Sequence, residues 1–287
     1  MKLLLQIWII LLSISIAKAQ NSVYPNAPYT TLRYIDVEGD NIYCAGYCDI
    51  LTYSTDGGST WTYTEAQIYG LNDLKIIPNT NGQKALLTYD GALKVFDVAD
   101  QSLTVINDDF LNSYSDNFEK SFFIADSVYT INNVGVFKSK IGTYSWETYF
   151  GFSLSSSFIM DVDMTENYFW IGTSTGDLLK INIKDKSIEN IYTFEKRVYD
   201  VEMVNDTLGY VEYQTGSNIQ KTTNGGESFV PLTGMPENIN PLALGENILF
   251  TINTNRVYLS QDGGNTSKYI GNPEDGQSAL TYGYILT

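Results

Sequence analysis

One eight-residue pattern occurs three times in this sequence and limits its fold more than any other feature. The first copy is Ser54-Thr55-Asp56-Gly57-Gly58-Ser59-Thr60-Trp61, a close copy spans residues 260–267, and a weaker copy spans residues 222–229. When the residue that ends each copy is aligned with matching positions elsewhere in the chain, it recurs every 38 to 43 residues. A fixed period of this length is typical of repeat architectures, so the period determines the expected fold before any single residue does.

Each repeat has the same internal order of short apolar or aromatic segments separated by polar turns. In the fourth repeat, residues 158–162, 168–172 and 178–181 are such segments. Thr175-Gly176-Asp177 lies between the last two and is a turn of the kind found in tight hairpins. A period near 40 residues with four strands matches one blade of a β-propeller. The sequence therefore predicts an all-β fold, a β-propeller of four-stranded antiparallel blades.

Six repeats are visible, and no linker or low-complexity segment separates them, so we expect a single domain over residues 20–287. The predicted units are residues 29–67, 68–107, 108–150, 151–194, 195–235 and 236–287. Residues 278–287 resemble the opening of a seventh blade. They would either pair with the N-terminal segment to close the ring or mark a sequence that ends early, and the sequence leaves both alternatives open.

The first 19 residues have the pattern of a secretory signal peptide. Lys2 precedes an apolar run from Leu3 to Ile16, and Ala17-Lys18-Ala19 is a small-x-small cleavage site. We expect cleavage between Ala19 and Gln20, because the run is short for a bilayer-spanning helix. The pattern predicts an exported protein without membrane insertion after cleavage, located in the periplasm, at the cell surface or in the medium.

The charge of the chain makes nucleic acid an unexpected partner. The formal net charge is −16 with 17 Lys and Arg residues, and no basic cluster is present. The chain also contains no His, which excludes His-based catalytic triads and the commonest zinc ligand. We therefore expect no cofactor and no metal. Asp161, Asp163 and Glu166 offer oxygen ligands for calcium, but strand alternation around Val162 predicts that both Asp side chains face water.

Cys44 and Cys48 are the two cysteines, four positions apart. In an exported protein an even pair indicates a disulfide, here a local one between a strand and the turn after it. Two thiols without a second pair do not make a tetrahedral metal site.

The pattern Ser-x-Asp-x-Gly-x-Thr-Trp resembles the Asp-box, or BNR repeat, and the resemblance extends over most of residues 20–287. Proteins with this repeat are β-propellers and include sialidases and other exo-glycosidases, sortilin-like receptors, photosystem assembly factors of the Ycf48 type and many secreted bacterial proteins. The Ala-Gln junction and the Asn, Ile and Tyr content resemble secreted proteins of the Bacteroidetes group. The resemblance implies that these turns join the third and fourth strands, on the face away from the usual binding site.

The residues of the Asp-box are of types that stabilise a turn. An Asp or Asn in a turn accepts hydrogen bonds from backbone N–H groups just ahead of it, and Gly adopts backbone angles that a β-carbon forbids. We therefore predict that Asp56 and Asp262 shape turns and have no catalytic role. The predicted turn-forming residues are Ser54, Asp56, Gly58, Thr60, Trp61, Asn224, Gly226, Phe229, Ser260, Asp262 and Gly264.

Two functional hypotheses follow, because a propeller fold does not set the activity. The first is a secreted, non-enzymatic binding or scaffold protein, with a protein or glycan ligand on the face opposite the Asp-box turns. A Ycf48-like assembly role is disfavoured by the small number of Arg residues. The alternative is a sialidase-like exo-glycosidase that uses Arg33, Arg197 and Arg256 as a carboxylate clamp, although the Arg-Ile-Pro signature of those enzymes is absent around Arg33.

Overall fold

The computed structural model describes residues 32–46, 50–65, 70–89, 91–114, 118–154, 157–213, 219–235, 240–243, 249–253 and 256–271. These residues form β1 to β24 and one short helix, α1, arranged as six four-stranded sheets. In every sheet each strand pairs with the next along the chain, so each sheet is an antiparallel meander. This is the strand order that the six repeats predict. The proposed partial seventh blade, residues 278–287, and the signal peptide lie outside the described residues.

The described strands divide into two compact units, separated in sequence between Gly151 and Phe152. The first unit contains sheets 1 to 3. Sheet 1 is β1 (Leu32–Glu38), β2 (Asn41–Gly46), β3 (Ile50–Ser54) and β4 (Thr62–Glu65). Sheet 2 is β5 (Leu71–Ile76), β6 (Lys84–Tyr89), β7 (Ala92–Asp97) and β8 (Ser102–Val105). After α1 (Asp109–Asn112), sheet 3 is β9 (Lys120–Ile124), β10 (Ser127–Asn132), β11 (Gly135–Lys140) and β12 (Glu147–Gly151).

The second unit contains sheets 4 to 6. Sheet 4 is β13 (Ile159–Met164), β14 (Tyr168–Thr173), β15 (Asp177–Asn182) and β16 (Ile188–Thr193). Sheet 5 is β17 (Val198–Met203), β18 (Gly209–Tyr213), β19 (Ile219–Thr222) and β20 (Val230–Pro231). Sheet 6 is β21 (Asn240–Ala243), β22 (Leu249–Asn253), β23 (Arg256–Ser260) and β24 (Lys268–Gly271). The prediction of one domain stays a prediction.

Burial decreases from the second strand of a sheet to the fourth. Every residue of β10 is buried, whereas β16 has no buried residue. Second strands are rich in aromatic and branched side chains, which suit a strand covered on both faces. Of the aromatic run Tyr168-Phe169-Trp170 in β14, Phe169 and Trp170 are fully buried.

The cores lie between neighbouring sheets of the same unit. In unit 1, Tyr43 and Leu51 of sheet 1 share one cluster with Leu74 and Leu87 of sheet 2. In unit 2, Trp170 of sheet 4 packs with residues of sheet 5, including Val201 and Val211. Full burial of a large apolar side chain contributes about 1.5–3 kcal/mol. The faces of successive sheets therefore supply the apolar contacts that a single blade lacks.

The first strands of sheets 1, 2, 4 and 5 share a β-bulge near their N-terminal ends. The extra residue of the bulge is Arg33, Asn72, Met160 or Tyr199. A bulge leaves one residue outside the ladder and changes the direction of its side chain. The bulge therefore marks the same strand end in each of these four sheets. In the part of the chain that the structure describes, no helix has the length and apolar character needed to cross a membrane.

Candidate functional site

The first Asp-box turn, Ser54 to Trp61, is closed by hydrogen bonds among its own residues. Ser54 Oγ donates to Asp56 Oδ1 over 2.8 Å and accepts from the amide of Gly58, also over 2.8 Å. Asp56 then accepts from Thr60 twice, at Oδ1 from the amide (2.8 Å) and at Oδ2 from the hydroxyl (2.6 Å). The carboxylate of Asp56 thus joins both halves of the turn by hydrogen bonds.

Gly58 and Trp61 complete this turn. The φ angle of Gly58 is 87°, in the region that favours glycine. Trp61 donates from Nε1 to the carbonyl oxygen of Gly58 over 2.9 Å, so its indole folds back on the turn. Its ring packs against the cluster of Ile42 and Cys44 in sheet 1. The aromatic residue therefore connects the turn to its own blade.

The copy in sheet 6 repeats this geometry. Ser260 Oγ donates to Asp262 Oδ1 and accepts from the amide of Gly264, each over 2.8 Å. Asp262 accepts from the Thr266 amide (2.9 Å) and hydroxyl (2.6 Å). Ser267, which stands where the first copy has Trp, instead donates to the carbonyl oxygen of Gly234 in the preceding segment. The missing aromatic ring therefore leaves the turn itself intact.

The copy in sheet 5 has the same pattern of hydrogen bonds, but an uncharged Asn replaces the Asp. Thr222 Oγ1 accepts from the amide of Gly226 over 2.9 Å, and Asn224 Oδ1 accepts from the amide of Ser228 over 3.1 Å. Where Asp56 accepts from a hydroxyl, Asn224 donates from Nδ2 to Ser228 Oγ over 2.9 Å. Phe229 ends this copy and packs against Tyr192 of β16 and against Phe194, which directly follows that strand.

The electrostatics of the two Asp-containing turns argue against acid catalysis. The hydrogen bonds from Thr60 lower the pKa of Asp56 to about 2, and those from Thr266 lower the pKa of Asp262 to about 2. A general acid must hold a proton near its working pH, and these carboxyl groups are ionised far below neutrality. The lowered pKa values of Asp56 and Asp262 therefore support a structural role and not an acid role.

Sheets 2 and 4 use a different turn between the third and fourth strands. In sheet 4, Asn182 Oδ1 accepts from the amides of Lys184 and Asp185, and Asp185 Oδ1 accepts from the amide of Ser187. Lys186 has a φ of 65°. Both turns share the sequence pattern Asp/Asn-x-x-Asp-x-Ser, which the Asp-box pattern does not include. It spans residues 97–102 and 182–187.

The Asp-box turns share one end of each sheet with the turn between the first and second strands. We call this the box end. Gly57 donates to the carbonyl oxygen of Asp40 over 2.9 Å, and Gly225 donates to that of Thr207 over 2.8 Å. In unit 2 the box end of sheet 5 also packs closely against sheet 4. Gly226 lies so near Ile191 of β16 that a β-carbon added to the glycine would be 2.2 Å from Ile191 Cδ1. The groups at the box end are therefore largely occupied by structural contacts.

Carboxylates of first strands bind the neighbouring sheet. In unit 1, Asp36 Oδ2 accepts from the Ile76 amide over 2.5 Å. Burial is the main cause of the raised pKa of Asp36. In unit 2, Asp161 Oδ2 accepts from the Val201 amide over 2.9 Å, and Asp163 Oδ2 from the Met203 amide over 2.6 Å.

These contacts correct one expectation from strand alternation. Asp161 is only 4% exposed and Asp163 is half-buried, so the pair does not face water as predicted. The alternation placed Val162 in the core correctly, but the neighbouring sheet covers the other face as well. Among the described residues, no group of three or more His, Cys, Asp or Glu side chains is placed to hold a metal ion.

The opposite end of each sheet carries the hairpins between second and third strands and the links to the next sheet. In unit 1, α1 places Phe110 on such a link, and Val134 lies in the hairpin between β10 and β11. In unit 2, Phe158 lies on the link before β13 and is 61% exposed. Among the described residues, the other large exposed apolar side chains lie on fourth strands, namely Val105, Ile188, Val230 and Tyr269.

The three arginines of the glycosidase hypothesis all lie at or near this opposite end. Arg33 is the bulge residue of β1 in unit 1, whereas Arg197 precedes β17 and Arg256 begins β23 in unit 2. The exposed Arg197 guanidinium lies 5.7 Å from the ring centroid of Tyr199. The side chains of Arg33 and Arg256 lie outside the described part of the structure, so the carboxylate clamp stays a hypothesis.

Cys44 is a buried thiol in β2. Burial raises its pKa to about 12, and its neighbours are Ile42, Ile35 and the Trp61 ring. Cys48 lies outside the described residues, so the disulfide between Cys44 and Cys48 stays a prediction.

Comparison with solved structures identifies the architecture. Ycf48 from Cyanidioschyzon merolae matches 85% of this chain and 81% of its own, with a TM-score of 0.61 and 15% sequence identity. The fold is a β-propeller. A Ycf48 structure with a bound D1 peptide matches 83% of this propeller and 78% of its own chain, with a TM-score of 0.58 and 12% identity.

A computationally designed protein, Ika8, also resembles this propeller. It matches 85% of the propeller chain and 97% of its own, with a TM-score of 0.55 and 11% identity. No protein-family model and no curated protein matches the chain. At these identities the likeness shows the fold of the propeller, which the sequence predicted, and leaves its activity to be argued from the chain itself.

Proposed function

We propose that this chain is an exported peptide-binding β-propeller whose ligand contacts the end of the sheets opposite the Asp-box turns. The observation that carries the proposal is that, among the described residues, the large exposed apolar side chains outside the fourth strands all lie at this opposite end. Phe110, Val134 and Phe158 project from links and hairpins of the opposite end, whereas the described Asp-box side chains are used in hydrogen bonds within the turns. Exposed aromatic groups on a rigid scaffold are typical of binding surfaces.

The comparison with known structures favours a peptide over a glycan. A propeller of the same fold, Ycf48, has been solved with a D1 peptide bound. Our chain is too distant from that protein for residue roles to be transferred, so the comparison supports the class of ligand only. Export is proposed on the signal-peptide pattern of residues 1–19.

Selection of linear peptides from a random display library against the purified protein would test the proposal. Enriched peptides would then be measured by fluorescence anisotropy against the wild type, Phe158→Ser and Ile188→Ser. Ile188 is a matched control because it is an exposed apolar residue, 41% accessible, on the outer strand β16. Loss of a central apolar contact weakens binding about tenfold or more.

We expect Phe158→Ser to show that loss for peptides that bind unit 2, and Ile188→Ser to bind like the wild type. Two outcomes would contradict the proposal. One is that no linear peptide is enriched. The other is that the outer-strand variant Ile188→Ser loses as much affinity as the variant at the opposite end.

A further inference from the structure

Unit 1 carries an apolar surface with an acidic border at its opposite end, which we call the acidic ledge: Asp109, Phe110, Tyr114 and Val134. Phe110 and Val134 are each 37% exposed, Asp109 is exposed and Tyr114 is half-buried. Within the described residues Asp109 has no hydrogen bond or ion pair, so its charge is available to a ligand.

The ledge is held rigidly from below. Leu111 is fully buried, and the ring of Tyr114 lies 4.9 Å from the buried ring of Phe137 and 5.2 Å from that of Phe110. The carboxylate of Asp108 accepts from the amide of Leu111 at Oδ1 (2.8 Å) and from the amide of Trp146 at Oδ2 (2.9 Å). It therefore ties α1 to sheet 3.

The hairpin that carries Val134 is joined to the same structure. Asn132 Oδ1 accepts from the amides of Val134 and Gly135, and Asn132 Nδ2 donates to the carbonyl oxygen of Tyr114 over 3.2 Å. An exposed aromatic group that is already fixed loses little conformational entropy when a ligand covers it. The ledge is therefore preorganised for contact.

The acidic residues around the ledge favour a ligand with positive charge. The described residues of the link between β8 and β9, 106–114 and 118–119, include Asp108, Asp109 and Glu119 and no Lys or Arg, in a chain of net charge −16. An acidic border around an apolar centre favours a cationic partner and disfavours an anionic one.

From this combination we infer that the acidic ledge binds a peptide segment in which an apolar side chain is flanked by Lys or Arg. The apolar side chain packs on Phe110 and Val134, and the flanking cation pairs with Asp109. This inference rests on the proposed peptide-binding function and names the segment that unit 1 recognises.

Two fluorescein-labelled synthetic peptides test the inference. Both have the same length and the same central Phe in a Gly-Ser frame, and they differ only in flanking Lys or Glu residues. Anisotropy titrations with the full protein at low and physiological salt should show at least tenfold tighter binding of the Lys peptide, with the difference decreasing as salt rises.

Variants separate ledge contact from general attraction to an acidic protein. Phe110→Ala should weaken binding of the Lys peptide about tenfold, and Asp109→Asn about threefold. Asp126→Asn is the matched control, because it removes the same charge from the exposed turn between β9 and β10 at the box end of sheet 3. It should leave the affinity unchanged. Val134→Lys, at an exposed hairpin position, should weaken the Lys peptide and strengthen the Glu peptide without affecting folding.

Three results would overturn the inference. They are equal affinity for the Lys and Glu peptides, equal loss in Asp109→Asn and Asp126→Asn, or unchanged binding in both Phe110→Ala and Val134→Lys. If, in any of these cases, library peptides still lose affinity in Phe158→Ser, the inference about the acidic ledge fails and the proposed peptide-binding function stands. If no peptide of any charge binds, the proposed function fails as well.

Discussion

The Lys221 ammonium donates a hydrogen bond to the carbonyl oxygen of Gly263, with 3.0 Å between Nζ and the oxygen. Lys221 lies on the third strand of sheet 5, and Gly263 is in the Asp-box turn of sheet 6. Lys180 on the third strand of sheet 4 approaches the Asp-box turn of sheet 5 in the same way. A β-carbon added to Gly225 in that turn would lie 3.3 Å from Lys180 Nζ. In both cases the lysine also lies over an aromatic ring of its own sheet, Trp170 for Lys180 and Tyr210 for Lys221. In unit 2, a lysine thus connects a sheet to the next Asp-box turn.

Replacing this lysine should destabilise the protein. Lys221→Met keeps most of the apolar stem but removes the donor to Gly263, and we expect a loss of about 1 kcal/mol in the free energy of unfolding. Urea denaturation followed by fluorescence measures it. Lys184→Met is the control, since Lys184 is exposed in a turn of sheet 4. Equal stability of both variants would show that the hydrogen bond contributes nothing measurable.

Converting the weaker Asp-box into a complete one should stabilise it. In Asn224→Asp, Ser228 would donate its hydroxyl to a carboxylate, as Thr60 and Thr266 do in the other copies. Charge-assisted hydrogen bonds are stronger than neutral ones, so we expect a gain of about 0.5 kcal/mol at neutral pH. The reverse change, Asp56→Asn, should lower stability. Loss of stability in Asn224→Asp would mean that the Asn turn differs in kind from the Asp turns.

The Asp-box carboxylates should make stability depend on acid pH. The pKa values of Asp56 and Asp262 are about 2 in the folded protein, below the ordinary value of 3.8. A lowered folded pKa gives stability that is complete above the unfolded value and is lost as pH falls from 3.8 towards about 2. Urea titrations across this range should show a smaller decrease for the double variant Asp56→Asn/Asp262→Asn than for wild type. Parallel curves would contradict the assignment.

Removing the carboxylate of Asp161, which is buried between sheets 4 and 5, should lower stability more than removing a surface charge does. Asp161→Ala leaves the buried Val201 amide without its acceptor, which we expect to lower stability by about 1–3 kcal/mol. Asp161→Asn retains an oxygen acceptor and should lose less. Glu189→Ala on the exposed strand β16 should change stability by less than about 0.5 kcal/mol. Chemical denaturation of the four proteins would measure the order, and similar values for Asp161→Ala and Glu189→Ala would contradict it.

The predicted disulfide has a direct chemical test. If Cys44 and Cys48 are bonded, the exported protein unfolded in guanidinium without reductant should show no thiol reactive towards Ellman's reagent. Reduction should then release both thiols. Cys48→Ser should expose a single thiol after unfolding, and that thiol should react slowly in the folded protein, because burial raises the pKa of Cys44 to about 12. Two reactive thiols in the unreduced wild type would exclude the bond.

The repeat pattern predicted the six sheets because the relevant signals are local. Ser54, Asp56 and Thr60 contact one another within one turn, and such contacts follow from the order of residues. The turn of Asn182 to Ser187 is equally local, and its pattern is visible at residues 97–102 as well. It could therefore have been found from the sequence by comparing the repeats that lack the Asp-box.

Other features depend on neighbours that the sequence does not specify. Alternation predicted that Asp161 faces water, because a single strand has only one obvious core face. The helix α1 and the exposure of Phe110 likewise follow from how the link between β8 and β9 lies over sheet 3. No periodic pattern in residues 106–114 indicates that this part of the link forms a helix with an exposed aromatic side chain.

The sequence by itself determined the repeat period, the four-strand order of each sheet and the chemistry of the Asp-box turns, since these depend on spacing and on hydrogen bonds over a few residues. The tertiary structure decided which carboxylates are buried between sheets, which lysines bind the next turn, and which aromatic side chains remain exposed. Those properties arise from contacts about 40 residues apart, such as that between Asp161 and Val201. A contact between sheets forms only after both have folded and packed, so its partners share no local pattern in the sequence.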